Sequence, residues 1–244
     1  MTPDAPAPPR DEWQLEVVEA FDLTPRLRRV VFTAAHLDEL HYRPGQALVL
    51  RMPLPEGGTG RRDYTIRSLD PAAQGLAIDF VQHGEAPAST WARRARAGDT
   101  LSAAGPRGRT VLAAQADWHL FCADETGLPA VAHLLETMSP GAPAFAWLEI
   151  DGVRDRLVLS TQAALTLEWV QRDGQRPGPS SLLLDCLARF TLPPGRGQAY
   201  LVGETSNVRA LRHHLVARGF ERGQIASEGY WRPGRIGGHD HVDD

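Results

Sequence analysis

The first hundred residues of the chain consist of short apolar segments separated by turn residues. The segments are LEVVEA, LRRVVFTA, QALVLRM, DYTIRSL and LAIDFVQ. Short runs rich in β-branched and aromatic residues, bounded by Gly, Pro and Asp, are typical of β-strands. The alternation of apolar and polar positions is incomplete in LRRVVFTA and LAIDFVQ, so the sequence does not decide which face of each strand is buried. The pattern predicts a small antiparallel barrel or sandwich.

One segment in this half has helical spacing instead. In STWARRARAGDTL, apolar side chains recur every three to four residues after Ser89, and Gly98 stands where a helix would stop. We predict a short helix that begins between Pro87 and Thr90. The free N–H groups and positive dipole of its first turn could hold a phosphate, although a capped amphipathic helix without a ligand is the alternative.

After GPRG at residues 105–108, strands and helices alternate. WHLFCAD, AFAWLEI, LTLEWVQRDG and QAYLVGE have strand composition, and LPAVAHLLETM, PSSLLLDCLARF and NVRALRHHLVARG have helical spacing. Strands that alternate with helices form parallel sheets. We therefore predict an α/β plus all-β fold, with an antiparallel β-barrel domain over residues 11–112 and an α/β domain with a mainly parallel sheet over residues 117–235.

Charge and composition narrow the possible partners. The 244 residues carry a net charge of -4, which gives no electrostatic footprint for nucleic acid or an anionic membrane. All 26 basic residues are arginine. The absence of lysine excludes Schiff-base and lysine-base chemistry, and any cationic pocket must consist of guanidinium groups.

The cysteine content and the two ends of the chain bear on where in the cell the protein is located. Cys122 and Cys186 are far apart and give neither a disulfide framework nor zinc-ligand spacing, and the buried setting of Cys122 predicts an inert thiol. The sequence contains no secretory leader pattern and no apolar run of about 20 residues. We expect a cytoplasmic monomer that binds neither nucleic acid nor membrane. Residues 1–10 and 237–244 are expected to be mobile tails, with His239 and His241 solvated rather than bound to metal.

The heptapeptide RRDYTIR at residues 61–67 contains groups that suit a flavin. Alternation along a strand would place Arg62, Tyr64 and Ile66 on one face and Asp63, Thr65 and Arg67 on the other, unless the strand end twists. A tyrosine ring can stack on an isoalloxazine, a neighbouring hydroxyl can donate a hydrogen bond near its reactive nitrogen, and an arginine can bind a pyrophosphate. The alternative is a surface strand with a packed tyrosine and solvated arginines. An antiparallel barrel followed by a nucleotide-type α/β domain also carries a flavin in ferredoxin reductase-like enzymes.

A series of short motifs runs from about Trp13 to Gly234. The motif residues are, in chain order, Arg62, Tyr64, Thr65, Arg67, His83, Gly84, Pro87, Ala88, Ser89, Trp91, Ala92, Gly98, Asp99, Gly105, Pro106, Arg107, Gly108, Asp124, Glu125, Thr126, Leu128, Pro129, Ala130, Gly203, Glu204, Gly229, Tyr230, Trp231, Arg232 and Gly234. In type and order these motifs resemble the siderophore-interacting proteins, which are FAD-dependent ferric-siderophore reductases.

The resemblance implies FAD bound between the two domains and NADH or NADPH bound over the second. It implies catalytic roles for Thr65 and Arg232, with Thr65 near the reactive edge of the flavin. The implied cofactor-binding residues are Arg62, Tyr64, Thr65, Arg67, His83, Gly84, Pro87, Ala88, Ser89, Asp124, Glu125, Thr126 and Trp231. Trp231 could cover the flavin or seal the domain interface. No resident metal site is implied.

The implied substrate is a ferric siderophore. A hydride carries two electrons and ferric iron accepts one, so a flavin is a suitable intermediate carrier of electrons. Reduction then releases the metal, because hard oxygen ligands bind the ferrous ion more weakly than the ferric ion. Because such complexes are commonly anionic, arginines beside the flavin could attract them. The candidates are Arg43, Arg51, Arg107, Arg109, Arg232 and Arg235.

The choice between NADH and NADPH stays open. Glu149 and Asp151 could bind ribose hydroxyls and favour NADH, whereas Arg154 and Arg156 could meet a 2′-phosphate.

Three positions depart from the family pattern, and they leave alternatives open. Ala86 replaces a glycine before Pro87, and the small residues Ala123 and Gly127 are exchanged around Asp124-Glu125-Thr126. One alternative function is a general NAD(P)H:flavin oxidoreductase with another acceptor. The other is a redox-inactive protein that binds a siderophore or a flavin.

Overall fold

The first sheet comes from the N-terminal half of the chain. The computed structural model describes residues 12–70, 72–235 and 240–242. Seven antiparallel strands form this sheet in the order β4-β3-β7-β1-β2-β6-β5. The strands are β1 (Glu12–Thr24), β2 (Leu27–Thr33), β3 (Ala47–Pro53), β4 (Thr59–Thr65), β5 (Ser68–Asp70), β6 (Gly75–Val81) and β7 (Thr100–Arg107).

The chain closes this sheet into a barrel where β4 passes into β5. Only Ile66 and Arg67 separate these two edge strands. The N–H of Ile66 donates to the carbonyl of Gln46 at 2.9 Å, and the N–H of Arg67 donates to the carbonyl of Ala77 at 2.9 Å. The same chain segment therefore joins both edges of the sheet, which removes two open edges.

The barrel interior is filled by alternate residues of its strands. In β1 the side chains of Trp13, Leu15 and Val17 point inward and their neighbours are exposed, as the period of two requires. Helix α1 (Pro87–Arg94) packs against this core, and its Trp91 ring lies 5.8 Å from that of Phe80. The helix therefore begins as expected but ends four residues before Gly98.

The second sheet is parallel apart from one edge strand. Its order is β10-β9-β8-β11-β12-β13, and only β13 runs antiparallel to its neighbour. The strands are β8 (Trp118–Ala123), β9 (Pro143–Ile150), β10 (Ala164–Gln171), β11 (Gly197–Glu204), β12 (Ile225–Trp231) and β13 (Asp240–His241). The helices are α2 (Leu128–Glu136), α3 (Leu182–Arg189) and α4 (Thr205–Ala217).

Helices cover both faces of this sheet, so its central strands are apolar on both sides. Every residue of β8 and β11 is buried. Tyr200 and Phe121 point into the core on the α2 side, whereas Cys122 and Leu201 point into the core on the α3 and α4 side. Strands buried on both faces are typical of parallel sheets. The chain reverses its direction across the sheet between β8 and β11, which is where such sheets receive ligands.

The described part of the C-terminal tail, residues 240–242, differs from the prediction. Residues 237–244 were expected to be mobile, but Asp240–His241 pairs with β12 and Val242 is 2% exposed in the core. Strand β12 would otherwise leave its N–H and C=O groups unpaired at the sheet edge. The carboxylate of Asp240 also accepts a hydrogen bond of 3.1 Å from Thr205 Oγ1. The solvation expected for the side chains of His239 and His241 lies outside the described residues, as does the expected N-terminal tail.

The predicted bounds of the two domains, 11–112 and 117–235, stay predictions. Strand β13 extends the second sheet beyond residue 235. No helix in the described part of the chain is long and apolar enough to cross a membrane.

Candidate functional site

A cleft of about 430 Å³ lies between the barrel and the parallel sheet. The barrel contributes the end of β4, the start of α1 and the end of β7, and the second sheet contributes the start of α2 and the end of β12. Nine of the predicted site residues line it: Arg62, Tyr64, Thr65, His83, Pro87, Ala88, Ser89, Thr126 and Trp231. Residues separated by up to 169 positions in the sequence are thus brought to one cavity.

Residues 62–65 at the end of β4 form one wall. The Tyr64 ring packs on Phe80 with ring centres 4.4 Å apart. Burial raises the pKa of Tyr64, which keeps its phenol neutral. Tyr64 and Ile66 both pack against the barrel core, as the predicted alternation requires, and four consecutive residues nevertheless reach the cleft. The reason is that β4 ends there and the cleft wraps around its edge.

Thr65 is buried and connected to the second sheet. Its side chain shares a hydrogen bond with the hydroxyl of Tyr230, which also lines the cleft. Burial, and then the nearby carboxylate of Glu228, raise the pKa of Tyr230. Tyr230 therefore positions the Thr65 hydroxyl from across the domain boundary.

The start of α1 forms a second wall. Pro87 is the first helical residue, and the N–H groups of Ala88 and Ser89 have no acceptor within the helix by its geometry. Ala86 precedes them with φ -57° and ψ 139°, a conformation that an L-residue adopts without strain. A Cβ in place of the family glycine is therefore accommodated, and the N–H groups can still face an anion.

His83 supports this helix start rather than offering an acid or base. Its backbone N–H donates to Ser89 Oγ at 3.0 Å, and Arg93 Nη1 donates to the same oxygen at 3.1 Å. Burial lowers the pKa of His83, opposed by the charge of Asp124. The imidazole is neutral near pH 7, in agreement with a structural role.

Asp124 lies beneath the cleft and does not line it. Its Oδ1 accepts from the N–H and the hydroxyl of Thr126 at 2.8 and 2.5 Å, and its Oδ2 accepts from the N–H of Glu204 and from Trp231 Nε1, both at 2.8 Å. Only 6% of Asp124 is exposed. Its carboxylate thus holds Trp231 and Thr126 in place, and the role of Asp124 in cofactor binding stays a prediction.

Glu125 is also turned away from the cleft. It accepts a hydrogen bond of 2.9 Å from Arg172, which bonds Glu149 on its other side at 3.3 Å. Burial raises the pKa of both carboxyls, and the Arg172 charge opposes this shift. The prediction that Glu149 binds a ribose is therefore wrong for this structure, because its carboxylate is buried and bonded to Arg172 and Ser180.

Asp151, the second ribose candidate, bridges the two domains. Its Oδ2 lies 2.8 Å from Nη2 of Arg26 on the barrel. Arg154 and Arg156 are exposed. The choice of nucleotide stays a prediction.

The remaining predicted residues lie outside the cleft wall. Arg67 bonds both carboxylate oxygens of Glu136 at 2.8 and 2.5 Å, and Arg232 lies 3.9 Å from Asp240. Gly84 has φ +47° and its carbonyl accepts from Arg93 at 2.9 Å. These three residues support neighbouring segments, and the roles proposed for Arg67 and Arg232 on a ligand stay predictions.

The predicted cationic wall is only partly assembled. Arg107, Arg109 and Arg235 line the cleft, whereas Arg43, Arg51 and Arg232 do not. Arg107 is bound through Nε and Nη2 to Asp63 at 2.6 and 2.7 Å, and Arg235 is bound to Asp240. Among the described residues, Arg62 and Arg109 have no carboxylate partner. Their guanidinium groups are therefore free to bind an anionic ligand in the cleft.

Three acidic residues of the cleft have no role in the sequence-based predictions. Asp63, Asp79 and Glu228 line it, and Asp79 binds Arg29 on the barrel at 2.7 and 2.9 Å. A carboxylate within the apolar run LAIDFVQ could have drawn attention to Asp79, because buried charges are almost always paired.

Close packing explains why a glycine stands at position 127, where the chain departs from the family pattern. A Cβ on this residue would lie 2.4 Å from Cγ2 of Val202 and 2.8 Å from Cβ of Ala123. Helix α2 approaches the sheet so closely that only glycine fits next to Ala123. The exchanged small residues therefore complement each other.

The cysteines are free and buried. Burial raises the pKa of both thiols. This agrees with the inert role expected for Cys122.

Comparisons with known proteins agree with this geometry. Residues 49–110 match the siderophore-interacting FAD-binding domain, and residues 116–234 match the siderophore-interacting protein family. The ferric vibriobactin reductase ViuB of Vibrio cholerae is 31% identical over 205 residues, which cover 79% of this chain and 75% of ViuB. An uncharacterised protein of Mycobacterium tuberculosis is 34% identical over 188 residues, which cover 71% of this chain. The chain spans 65% of the length of that relative.

A solved structure has the same fold. The siderophore utilization protein from T. fusca superposes with a TM-score of 0.88 at 33% identity, over 96% of this chain and 97% of that one. This confirms the predicted barrel followed by an α/β domain, and the domain match confirms the predicted FAD-binding domain. On these grounds the chain belongs to the siderophore-interacting protein family.

Proposed function

We propose that this protein is an FAD-dependent ferric-siderophore reductase that takes electrons from NADH or NADPH. The observation that carries the proposal is the composition of the cleft. Tyr64, Thr65 and the start of α1 come from the barrel, and Thr126 and Trp231 come from the carboxyl ends of the parallel strands. A flavin site and a nucleotide site thus meet in one cavity.

The residues present suit FAD. Tyr64 offers an aromatic ring, Thr65 a hydroxyl, and Arg62 a guanidinium with no carboxylate partner in the described part of the chain. The N–H groups of Ala88 and Ser89 suit the diphosphate. When bound, FAD would accept the two electrons of a hydride and pass them on one at a time.

The protein's own groups would orient both ligands. Trp231 is fixed by Asp124 at the cleft wall, so its indole can close the cavity to water. Thr126 stands at the carboxyl end of β8, where a nicotinamide nucleotide would enter. Thr65, held by Tyr230, would donate or accept a hydrogen bond at the reactive edge of the flavin.

Charge favours an anionic ferric complex as the acceptor. Arg109 is exposed on the cleft wall without an ion-pair partner among the described residues, and it would attract such a complex. Each hydride supplies the electrons for two ferric ions. The ferrous ion then leaves the hard oxygen ligands, which bind it more weakly. We further propose that the protein acts as a monomer in the cytoplasm, where reduced nicotinamide nucleotides are available.

Anaerobic spectroscopy tests this proposal. FAD-loaded protein is mixed with NADH or NADPH, and then with ferric enterobactin or ferrioxamine B and the ferrous chelator ferrozine. Bleaching of the flavin, followed by its recovery as the ferrous complex appears, is expected. Bleaching without ferrous iron would favour an oxidoreductase with another acceptor, and no bleaching with either nucleotide would favour a redox-inactive binding protein.

Flavin affinity tests the assignment of the β4 wall. Arg62→Ala and Tyr64→Leu are each expected to weaken FAD binding at least tenfold in a fluorescence titration, because each removes a contact with the cofactor. Arg61→Ala is the matched control, since Arg61 is exposed on the same strand and does not line the cleft. Equal affinities in all three folded variants would contradict the assignment.

A further inference from the structure

A second cavity of about 280 Å³ adjoins the cleft. It lies under the linker that joins the two domains, against the first residues of β11 and β12. Arg109 and Glu228 line both cavities, so the smaller one is a side chamber of the cleft. We define the side chamber by its polar residues, which are Arg109, Thr110, Gln198, Arg222, Ser227 and Glu228.

Two polar side chains of the side chamber form no side-chain hydrogen bond with another described residue, and one of them, Thr110, has a buried oxygen without a partner. Thr110 is 1% exposed, and its Oγ1 has no partner in the part of the chain that the structure describes. Gln198 is 8% exposed, and its amide forms no side-chain hydrogen bond with the other described residues. A buried hydroxyl without a partner is unfavourable, and a ligand with a matching polar atom would satisfy Thr110.

Two arginines of the side chamber have no ion-pair partner in the described part of the chain. Neither Arg109 nor Arg222 forms an ion pair with another described residue. Among the described residues, the Glu228 carboxylate accepts a hydrogen bond from the backbone N–H of Arg109, at 3.2 Å. Ser227 is already engaged, because its Oγ donates to the carbonyl of Val242 at 2.7 Å and accepts from Arg212 at 3.2 Å. The available groups are two guanidiniums, one hydroxyl and one amide, against one carboxylate.

This set of groups suits an oxyanion that carries a neighbouring hydroxyl or N–H. Guanidiniums bind carboxylate oxygens in a forked geometry, and Thr110 and Gln198 can each donate one more hydrogen bond. Glu228 would accept a hydrogen bond from the neighbouring hydroxyl or N–H group. The side chamber contains the first residues of β11 and β12, whereas nucleotides bind at the carboxyl ends of such strands. Position therefore favours the iron complex over the nucleotide.

We propose that the side chamber is a subsite for a pendant carboxylate of the ferric siderophore, with Arg222 and Gln198 as residues that determine specificity. This rests on the proposed function, because it assigns part of that substrate. It predicts a preference for chelates with free carboxylate groups over chelates that lack them.

Binding of a complex that cannot be reduced tests the subsite separately from the reaction. Gallium(III) citrate is titrated calorimetrically into FAD-loaded wild type, Arg222→Met, Gln198→Met and the control Arg176→Met. Arg176 is exposed and lines neither cavity. The two side-chamber variants are expected to bind about tenfold more weakly, and the control within twofold of wild type. Gln198→Met is nearly isosteric and removes no side-chain hydrogen bond to another described residue, so the variant is expected to fold.

Three results would overturn the proposal. The first is unchanged gallium citrate affinity in both side-chamber variants. The second is a raised KM for NADPH but not for NADH in Arg222→Met, which would assign the site to the 2′-phosphate. The third is binding of inorganic phosphate, but not of gallium citrate, that depends on Arg222. Absence of ferric reduction by wild type would instead contradict the proposed function while leaving the gallium measurement valid.

Discussion

The indole Nε1 of Trp231 donates a hydrogen bond of 2.8 Å to Oδ2 of Asp124, 107 residues away in the sequence. This bond joins the end of β12 to the end of β8 across the intervening strand β11. It passes over Gly203, where a Cβ would lie 2.7 Å from the Asp124 carboxylate and where φ is +143°. A closely packed glycine therefore allows one carboxylate to fix the aromatic wall of the cleft.

Asp124→Asn is expected to lower the free energy of unfolding by about 1–3 kcal/mol, because an amide nitrogen cannot replace a carboxylate oxygen that accepts two hydrogen bonds. Urea unfolding followed by tryptophan fluorescence measures the change. Asp173→Asn is the control, since Asp173 is exposed with φ +51°, a conformation that asparagine adopts readily. Equal stability of the two variants would show that the bonds of Asp124 contribute little.

Gly127→Ala is expected to destabilise the protein by about 1–3 kcal/mol through overpacking between α2 and the sheet. The backbone is not the cause, because Gly127 has an ordinary φ of -88°. Thermal unfolding measures the effect. Gly152→Ala is the matched control, because a Cβ there meets no atom within 4 Å. If Gly127→Ala lost no more stability than Gly152→Ala, close packing of α2 against the sheet at Gly127 would be excluded.

Arg172→Met is expected to cost about 3–5 kcal/mol at pH 8, because Glu125 and Glu149 would remain buried without their cation. Burial already raises the pKa of both carboxyls, and removing Arg172 raises it further. A carboxyl with a raised folded pKa binds more protons in the folded state than in the unfolded state. Stability of the variant should therefore recover as the pH falls from 8 to 5.

Urea unfolding at several pH values measures this recovery against Arg209→Met, a change at an exposed position of α4. If the deficit of Arg172→Met were the same at pH 8 and pH 5, the two carboxylates would not be its cause.

His133 is expected to make stability depend on pH. It lies buried between the domains, with Nδ1 2.8 Å from the carbonyl of Ile66 and Nε2 3.4 Å from the hydroxyl of Tyr42. Burial lowers its pKa from 6.5. The unfolded state then binds more protons, so the stabilising contribution is complete above about pH 6.5 and is lost as the pH falls below it.

His133→Gln is expected to flatten the decrease in stability between pH 7 and pH 5, since glutamine does not titrate but can form both hydrogen bonds. His41→Gln serves as the control because His41 is exposed. Identical slopes for the two variants in chemical unfolding would exclude His133 as the titrating group.

Much of the fold could be predicted from the sequence. Alternation such as that of Trp13, Leu15 and Val17 in β1 indicates a sheet with one buried face, and the mostly apolar sequence WHLFCA of β8 indicates a strand buried on both faces. The segment around Tyr64 and the helix start at Pro87 could be assigned to a flavin site through the resemblance of their motifs to the family, because each segment alone also suits a packed strand or a capped helix.

The roles of the carboxylates could not be predicted in the same way. Asp124 and Glu125 follow a parallel strand, where ligands commonly bind. Both carboxylates, however, form hydrogen bonds with other residues of the protein. Those partners are distant in sequence, since Arg172 follows Glu125 by 47 residues. Likewise, the two-residue β13 has no periodicity to detect, and it forms because β12 offers a free edge.

The sequence by itself determined the order of the two domains, the strands and helices within them, and the motifs that line the cleft, because these depend on local periodicity and residue type. Only the tertiary structure decided which charges face the cleft, which are paired beneath it, and that Thr110 and Gln198 line a side chamber. The physical reason is that pairing depends on which strands become neighbours, and β8, β11 and β12 become neighbours through crossovers that local patterns do not encode.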